Sequence, residues 1–265
     1  MKSPKRIARI AGILYLLVFI FGGFAEGIAE PQMYVAGNAA ATAGSVVAHV
    51  GLVRVGVVAE LINGPLFLFL ALTLYVLLKE VHKGMARAML VLVALATGIT
   101  CLGAVSEFEG LRVATGAVDL SSLGVSGSNA VVLLLLDAQH YGLLVAQIFF
   151  GLWLAPLGYL AYKSGWFPKA LGVALVTGAA CYLVDVLAAF LLPDLGTAIH
   201  GFVTIPSIIA ELWMAGYLLV IGVKRAKISQ RVTATSRRNA PRVSRGTTVY
   251  LDRAETGLDR TRELT

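Results

Sequence analysis

Apolar residues in this chain gather into six long runs, at 7–29, 52–78, 87–107, 138–162, 169–192 and 199–223, separated by short breaks that carry most of the charge. Each run reaches the roughly 20 residues an α-helix needs to cross about 30 Å of hydrocarbon at about 1.5 Å per residue. The pattern predicts an all-α polytopic membrane protein, a six-transmembrane-helix bundle within residues 1–228. From Ser229 onward the chain is rich in Thr, Ser and Arg and poor in apolar residues. Residues 229–265 are therefore expected to form a disordered tail, because they cannot bury enough surface to offset the entropy of ordering.

The breaks predict different connections. Residues 36–48 are small and polar, and Asn38 precedes an alanine run as a helix cap would, so a short interfacial helix is expected there. Residues 115–130 are rich in Gly and Ser and read as a flexible loop. At Lys163-Ser164-Gly165-Trp166-Phe167-Pro168-Lys169, Gly ends the fourth helix and Pro restarts the chain. Asn63-Gly64-Pro65 inside the second run is expected to kink that helix. The first run is too long for the apolar core of a signal peptide, so a retained first helix is expected.

Composition agrees with lipid as the solvent. Mean hydropathy is +0.81 and charged residues are 14%, against about 25% in soluble domains. The formal charge of +7 belongs to the tail: residues 1–223 hold 11 Lys/Arg and 11 Asp/Glu, whereas residues 224–265 hold 11 Lys/Arg and 4 Asp/Glu. The tail carries no interleaved aromatics and no recognisable module, which argues against nucleic acid. A basic segment beside a membrane fits anionic lipid instead. Lys2, Lys5, Arg6 and Arg9 precede the first helix, Lys79, Lys83 and Arg87 the third, and Lys163 and Lys169 flank the break before the fifth, while Lys224 opens the tail. By the positive-inside rule both termini are expected in the cytoplasm, and 30–51, 108–137 and 193–198 outside, which places the chain in the cytoplasmic (inner) membrane. Cys101 and Cys181 lie in separate apolar runs and read as packing residues.

Ionisable side chains inside spanning helices cost roughly 2.5–3.5 kcal/mol each on insertion scales, so each calls for a reason. The second helix carries Arg54, Glu60 and Asn63, the fourth Asp137, His140 and Gln147, the fifth Asp185, and the sixth His200, Ser207 and Glu211. With the expected topology, Glu60 lies roughly 9 Å outward of its helix midpoint, Asp185 lies outward too, Glu211 is near mid-membrane and His140 near the outer boundary. Four helices thus place ionisable groups in the outer half of the bilayer. Helix-period stripes such as Tyr182 and Asp185, or Ser207 and Glu211, should face neighbouring helices rather than lipid. The candidate pocket is Arg54, Glu60, His140, Asp185 and Glu211, supported by Asn63, Tyr141, Gln147, Tyr182 and Ser207. Arg54 snorkelling to the interface or pairing with Glu60 is the plainer reading of that residue. His49, His140 and His200 with Asp185 or Glu60 offer a zinc site on paper, but no paired-histidine motif supports it. No metal and no cofactor is expected.

Several of these segments resemble a known family. Ile7-Ala8-Arg9-Ile10-Ala11-Gly12, Leu52-Val53-Arg54 through Glu60-Leu61-Ile62, His140-Tyr141-Gly142, Leu157-Gly158-Tyr159, the Lys163–Gly172 break, Tyr182-Leu183-Val184-Asp185 and Pro206 through Glu211 together resemble the domain of unknown function 4386 family of bacterial membrane proteins. The likeness covers roughly 5–225 and excludes the tail. It implies a six-helix bundle, no particular activity, and a family pattern that includes Arg54, Glu60, His140, Asp185 and Glu211 but neither His49 nor His200.

The expected function is binding or translocation of a small polar solute, an ion or protons through an outward-facing polar pocket. A structural or accessory membrane protein held by a polar packing cluster is the alternative. An intramembrane enzyme, dependent on metal or acting on lipid, is the third reading and the least favoured.

Overall fold

The computed structural model describes residues 3–223, so the expected tail at 229–265 lies outside the described residues. Six helical stretches are long and apolar enough to cross a membrane: Pro4–Met33, Val50–Leu78, Lys83–Ala114, Ser121–Ser164, Lys169–Leu191 and Pro193–Val220. Among the described residues there is no strand. The chain is a multi-pass, all-helical membrane protein. Large apolar side chains such as Phe69, Leu102, Leu134 and Leu187 are exposed on its surface, as lipid-facing residues must be.

The first span consists of α1 (Pro4–Phe24), a π-helical turn (Ala25–Ala29) and α2 (Glu30–Met33). A short α3 (Ala39–Ala48) follows, capped by the Asn38 side chain, which accepts from the Ala41 amide at 3.0 Å. Then come α4 (Val50–Leu78), α5 (Lys83–Ala114), α6 (Gly124–Ser164), α7 (Lys169–Leu191), α8 (Pro193–Val203) and α9 (Ile205–Val220). Helix α4 keeps helical structure across Asn63-Gly64-Pro65 without a break. Helix α6 ends on Gly165, whose φ of +67° is the left-handed conformation that glycine adopts without strain.

Two expectations from the sequence are corrected. The Gly/Ser-rich stretch 115–130 is only partly a loop, because α6 begins at Gly124 after a short 3-10 turn. Its early turns are held by tertiary packing: Val132 and Leu136 are buried in a cluster with Val46 of α3 and Leu111 of α5. A side chain at Gly110 would run into Leu136, so this approach needs glycine there. Packing outweighs the weak helix propensity of Gly and Ser. The sixth span, expected as one helix over 199–223, starts earlier at Pro193 and is divided at Thr204. Pro206, in the first turn of α9, brings no backbone N–H to bond back into α8, and the Thr204 hydroxyl donates to the His200 carbonyl at 2.7 Å.

The bundle interior is layered. A large apolar core contains Tyr15, Leu74, Met89, Trp153, Leu171 and Met214. A smaller one contains Ala29, Val53, Leu111, Val132 and Leu136. Between them α4, α5 and α6 present polar groups at the intervening register. On α4, Glu60 falls between Val53 and Phe67; on α5, Glu107 lies between Ala96 and Leu111; on α6, Gln139 and Gln147 lie between Leu136 and Trp153. Glu60, Thr100, Glu107, Gln139 and Gln147 form this middle layer, and Asp185, Ser207 and Glu211 are buried on α7 and α9.

Close helix crossings fix it in place. At the α6–α7 crossing a Cβ on Gly158 would stand 2.6 Å from the Gly172 carbonyl oxygen, and one on Gly172 would stand 2.8 Å from that of Gly158. Small residues of this kind let helices associate in lipid, where the hydrophobic effect supplies little drive between them. Gly172→Val should therefore lower stability by about 1–3 kcal/mol, the usual cost of overpacking. Gly98→Ala, whose added Cβ meets nothing within 4 Å, should be neutral or slightly stabilising. Thermal unfolding of both purified variants in the same detergent checks the contrast.

Candidate functional site

The polar layer is built from interhelical pairs, most of them between residues far apart in sequence. Tyr15 on α1 donates its hydroxyl to Glu211 Oε2 on α9 at 3.2 Å, and both residues are buried. Tyr182 on α7 faces the same carboxylate. Gln147 Nε2 on α6 donates to Asp185 Oδ2 on α7 at 2.6 Å. The His200 ring on α8 meets the same carboxylate through Nδ1, at 2.9 Å from Oδ2. Asp185 itself is 1% exposed, whereas the His200 side chain is 59% exposed, so this pair joins surface to interior. Ser207 on α9 donates to the Gly178 carbonyl of α7 at 2.8 Å. A side chain at Gly178 would stand 2.9 Å from the Ser207 Cα.

A second set lies where the first span passes α4, α5 and α6. His140 Nδ1 is 2.7 Å from Glu30 Oε1, and the His140 ring stacks on Tyr34 with centroids 4.9 Å apart. The Tyr34 hydroxyl donates to Asp137 Oδ1 at 2.6 Å. Burial first, then the bond to Asp137 and its charge, push the Tyr34 hydroxyl above the usual phenol range and keep it a donor. Deeper in, Glu26, Glu30, Glu60 and Glu107 lie within electrostatic reach of one another in most pairings. Glu60 and Glu107 are 5% and 3% exposed, and Glu107 Oε1 has no protein hydrogen-bond partner. Glu26 itself is exposed. It also feels Glu211 and Tyr182, which connects the two sets. No Lys or Arg forms an ion pair with any of these carboxylates among the described residues. A recess of about 240 Å³ is lined by His140, Leu144, Asp185, Thr197 and His200.

The sequence-selected residues distribute unevenly. Glu60, Asp185 and Glu211 are buried between helices, and His140 is half-buried on Glu30. Gln147, Tyr182 and Ser207 stand beside them. Asn63 projects from α4 toward α1, where a Cβ on Gly22 would come within 2.9 Å of its Nδ2, and its Oδ1 has no partner. Tyr141 is largely exposed, packing edge-on against His140 and beside Phe190. Arg54 is the exception: it is exposed and lines a groove on the outer surface between α4 and α5, so it does not pair with Glu60. The three-histidine arrangement is also absent. His49 is bonded to the Ser45 carbonyl, His140 to Glu30 and His200 to Asp185, and among the described residues no three His, Cys, Asp or Glu side chains converge as metal ligands.

Glu26, Glu30, Glu107, Tyr15 and Tyr34 were not in the sequence-derived pocket. Glu26 lies at the fading end of the first apolar run and Glu30 just past it. Their spacing of four, which puts both on one helix face, was the available signal.

Comparison with known proteins agrees with this architecture. Residues 10–222 match the family described as Domain of unknown function (DUF4386). The chain belongs to that family. No curated protein and no solved structure matches it. The match reaches into every span and excludes the basic tail, so the polar layer lies wholly within the family's domain.

The bonds of the layer have unequal weights. Tyr15→Phe removes one hydroxyl and should cost about 0.6–1.7 kcal/mol, the measured range for hydrogen bonds between membrane helices. Asp185→Leu strips Gln147 of its partner and His200 of its anchor, and should cost more, about 1–3 kcal/mol for the buried polar group left alone. Denaturant unfolding in mixed micelles measures both.

Proposed function

We propose that this protein binds protons or a small cation in the polar layer, alone or together with a small polar solute, and passes them across the cytoplasmic membrane. The observation that carries this reading is the set Glu26, Glu30, Glu60 and Glu107, which share one region without a Lys or Arg partner among the described residues. Removing a carboxylate from water costs several kcal/mol even after relaxation, and neighbouring negative charges add to that. Compensating positive charge must come from elsewhere, as protons or as cations. The unpartnered Glu107 oxygen is an acceptor ready for such a guest. Asp185 and His140 extend the set toward the surface through their bonds to His200 and Glu30.

The positive-inside bias supports an orientation with both termini in the cytoplasm and the His140 end outward. The broken sixth span adds a helix junction beside the recess, a feature that transporters place at binding sites. A structural role for the layer has its own support, since Tyr15–Glu211, Gln147–Asp185 and Ser207–Gly178 are satisfied bonds that cross helices.

Neutral isosteres separate the two. Glu60→Gln and Asp185→Asn keep shape and most hydrogen bonds while removing titration. Proteoliposomes loaded with a pH-sensitive dye and given a potassium diffusion potential should show proton or cation movement with the original protein. Both variants should lose it at unchanged thermal stability. Activity that survives both replacements, or a protein that moves neither protons nor cations, would return the layer to a purely structural role. Orientation has its own check: a reporter inserted in the 115–119 loop should read external, and one fused after Lys227 cytoplasmic.

A further inference from the structure

A groove of about 510 Å³ runs along the bundle surface between α4 and α5. Val57, Val58 and Leu61 line it from α4, and Ala104, Val105 and Phe108 from α5. These walls offer aliphatic and aromatic carbon only. Arg54 lines the same groove one helical turn before Val57 and Val58, four residues into α4 and therefore close to that end of the span. Its guanidinium makes no ion pair among the described residues.

An unpaired guanidinium at a lipid-facing surface needs an anion. Its planar fork fits the two oxygens of a phosphodiester, and it lies at the helix end, where headgroups are found. From Arg54 to Leu61 the apolar wall extends for roughly 10 Å along the helix, parallel to the direction of an acyl chain. No acidic residue lines the groove, so a choline or ammonium group would have no partner. We propose that this groove is a binding site for one anionic phospholipid, with its phosphate on Arg54 and an acyl chain along Val57, Val58, Leu61 and Phe108. The site is separate from the polar layer and stands whether or not the protein transports anything.

The test uses the full chain purified in a neutral detergent and titrated with dioleoyl phosphatidylglycerol or dioleoyl phosphatidylcholine, following thermal unfolding. A ligand that binds only the folded state raises the midpoint in proportion to its occupancy. The phosphatidylglycerol series should saturate and the phosphatidylcholine series should not. Arg54→Gln should weaken the apparent affinity by about tenfold or more, as loss of a charge-assisted hydrogen bond implies. Val58→Trp, which fills the groove from an exposed position and leaves Arg54 in place, should weaken it too. Because both variants keep the basic tail, lipid held by the tail alone would give wild-type titrations in both, and that result overturns the proposal. Equal shifts by the two lipids overturn it as well. So does a dimer in detergent that Val58→Trp dissociates, which would make the groove an interface between copies.

Discussion

The cost of placing carboxylates at membrane depth governs this structure. Glu60, Glu107, Asp185 and Glu211 are each less than a tenth exposed, in a chain whose surroundings offer no water through most of the span. Asp185 and Glu211 have protein donors, Gln147 and Tyr15. Glu60 and Glu107 have none of comparable kind, and one Glu107 oxygen is without any protein partner. The fold gathers these groups inside the bundle instead of leaving them on its lipid-facing surface. Gathering them lets few donors serve several acceptors. It also concentrates negative charge where guest protons or cations would relieve it, which is why the proposed function centres on this layer.

Small residues make that layer possible. Gly178 admits Ser207, Gly22 admits Asn63, and Gly56 brings Ala29 and Glu107 close to the α4 backbone. In lipid such contacts contribute through dispersion and hydrogen bonding, so the same glycines that let the helices approach also position the polar groups. The aromatic side chains complete the arrangement. Trp153 packs against Tyr15 and Phe67 below the layer, and Tyr34 stacks on His140 at its other edge. The hydroxyls of Tyr15 and Tyr34 face carboxylates while their rings stay in apolar surroundings.

Arg54 and Glu60 show how one helix separates two environments. They lie six residues apart, about 600° of rotation on an ideal helix, so their side chains leave α4 about 120° apart. Glu60 is turned into the bundle and Arg54 to the groove on its surface. Sequence proximity suggested an ion pair, and the outward position of Arg54 leaves it unmade.

The sequence by itself determined the class, the six spans and several of their ends. Apolar length, the Asn38 cap and the Gly165 stop are local properties, set by transfer free energy and backbone conformation within a few residues. It also singled out Glu60, Asp185 and Glu211, because an ionisable group inside an apolar run is conspicuous wherever it ends up. Only the tertiary structure decided who meets whom. Glu30 finds His140 across 110 residues, and Tyr15 finds Glu211 across 196. The helical state of 124–137 depends on burial of Val132 and Leu136 against α3 and α5, and no local signal encodes that. Glu26, Glu30 and Glu107 stand at or just past the ends of the apolar runs 7–29 and 87–107. Their helices continue past the apolar runs, and a helix end supported by its neighbours is decided by packing rather than by hydropathy.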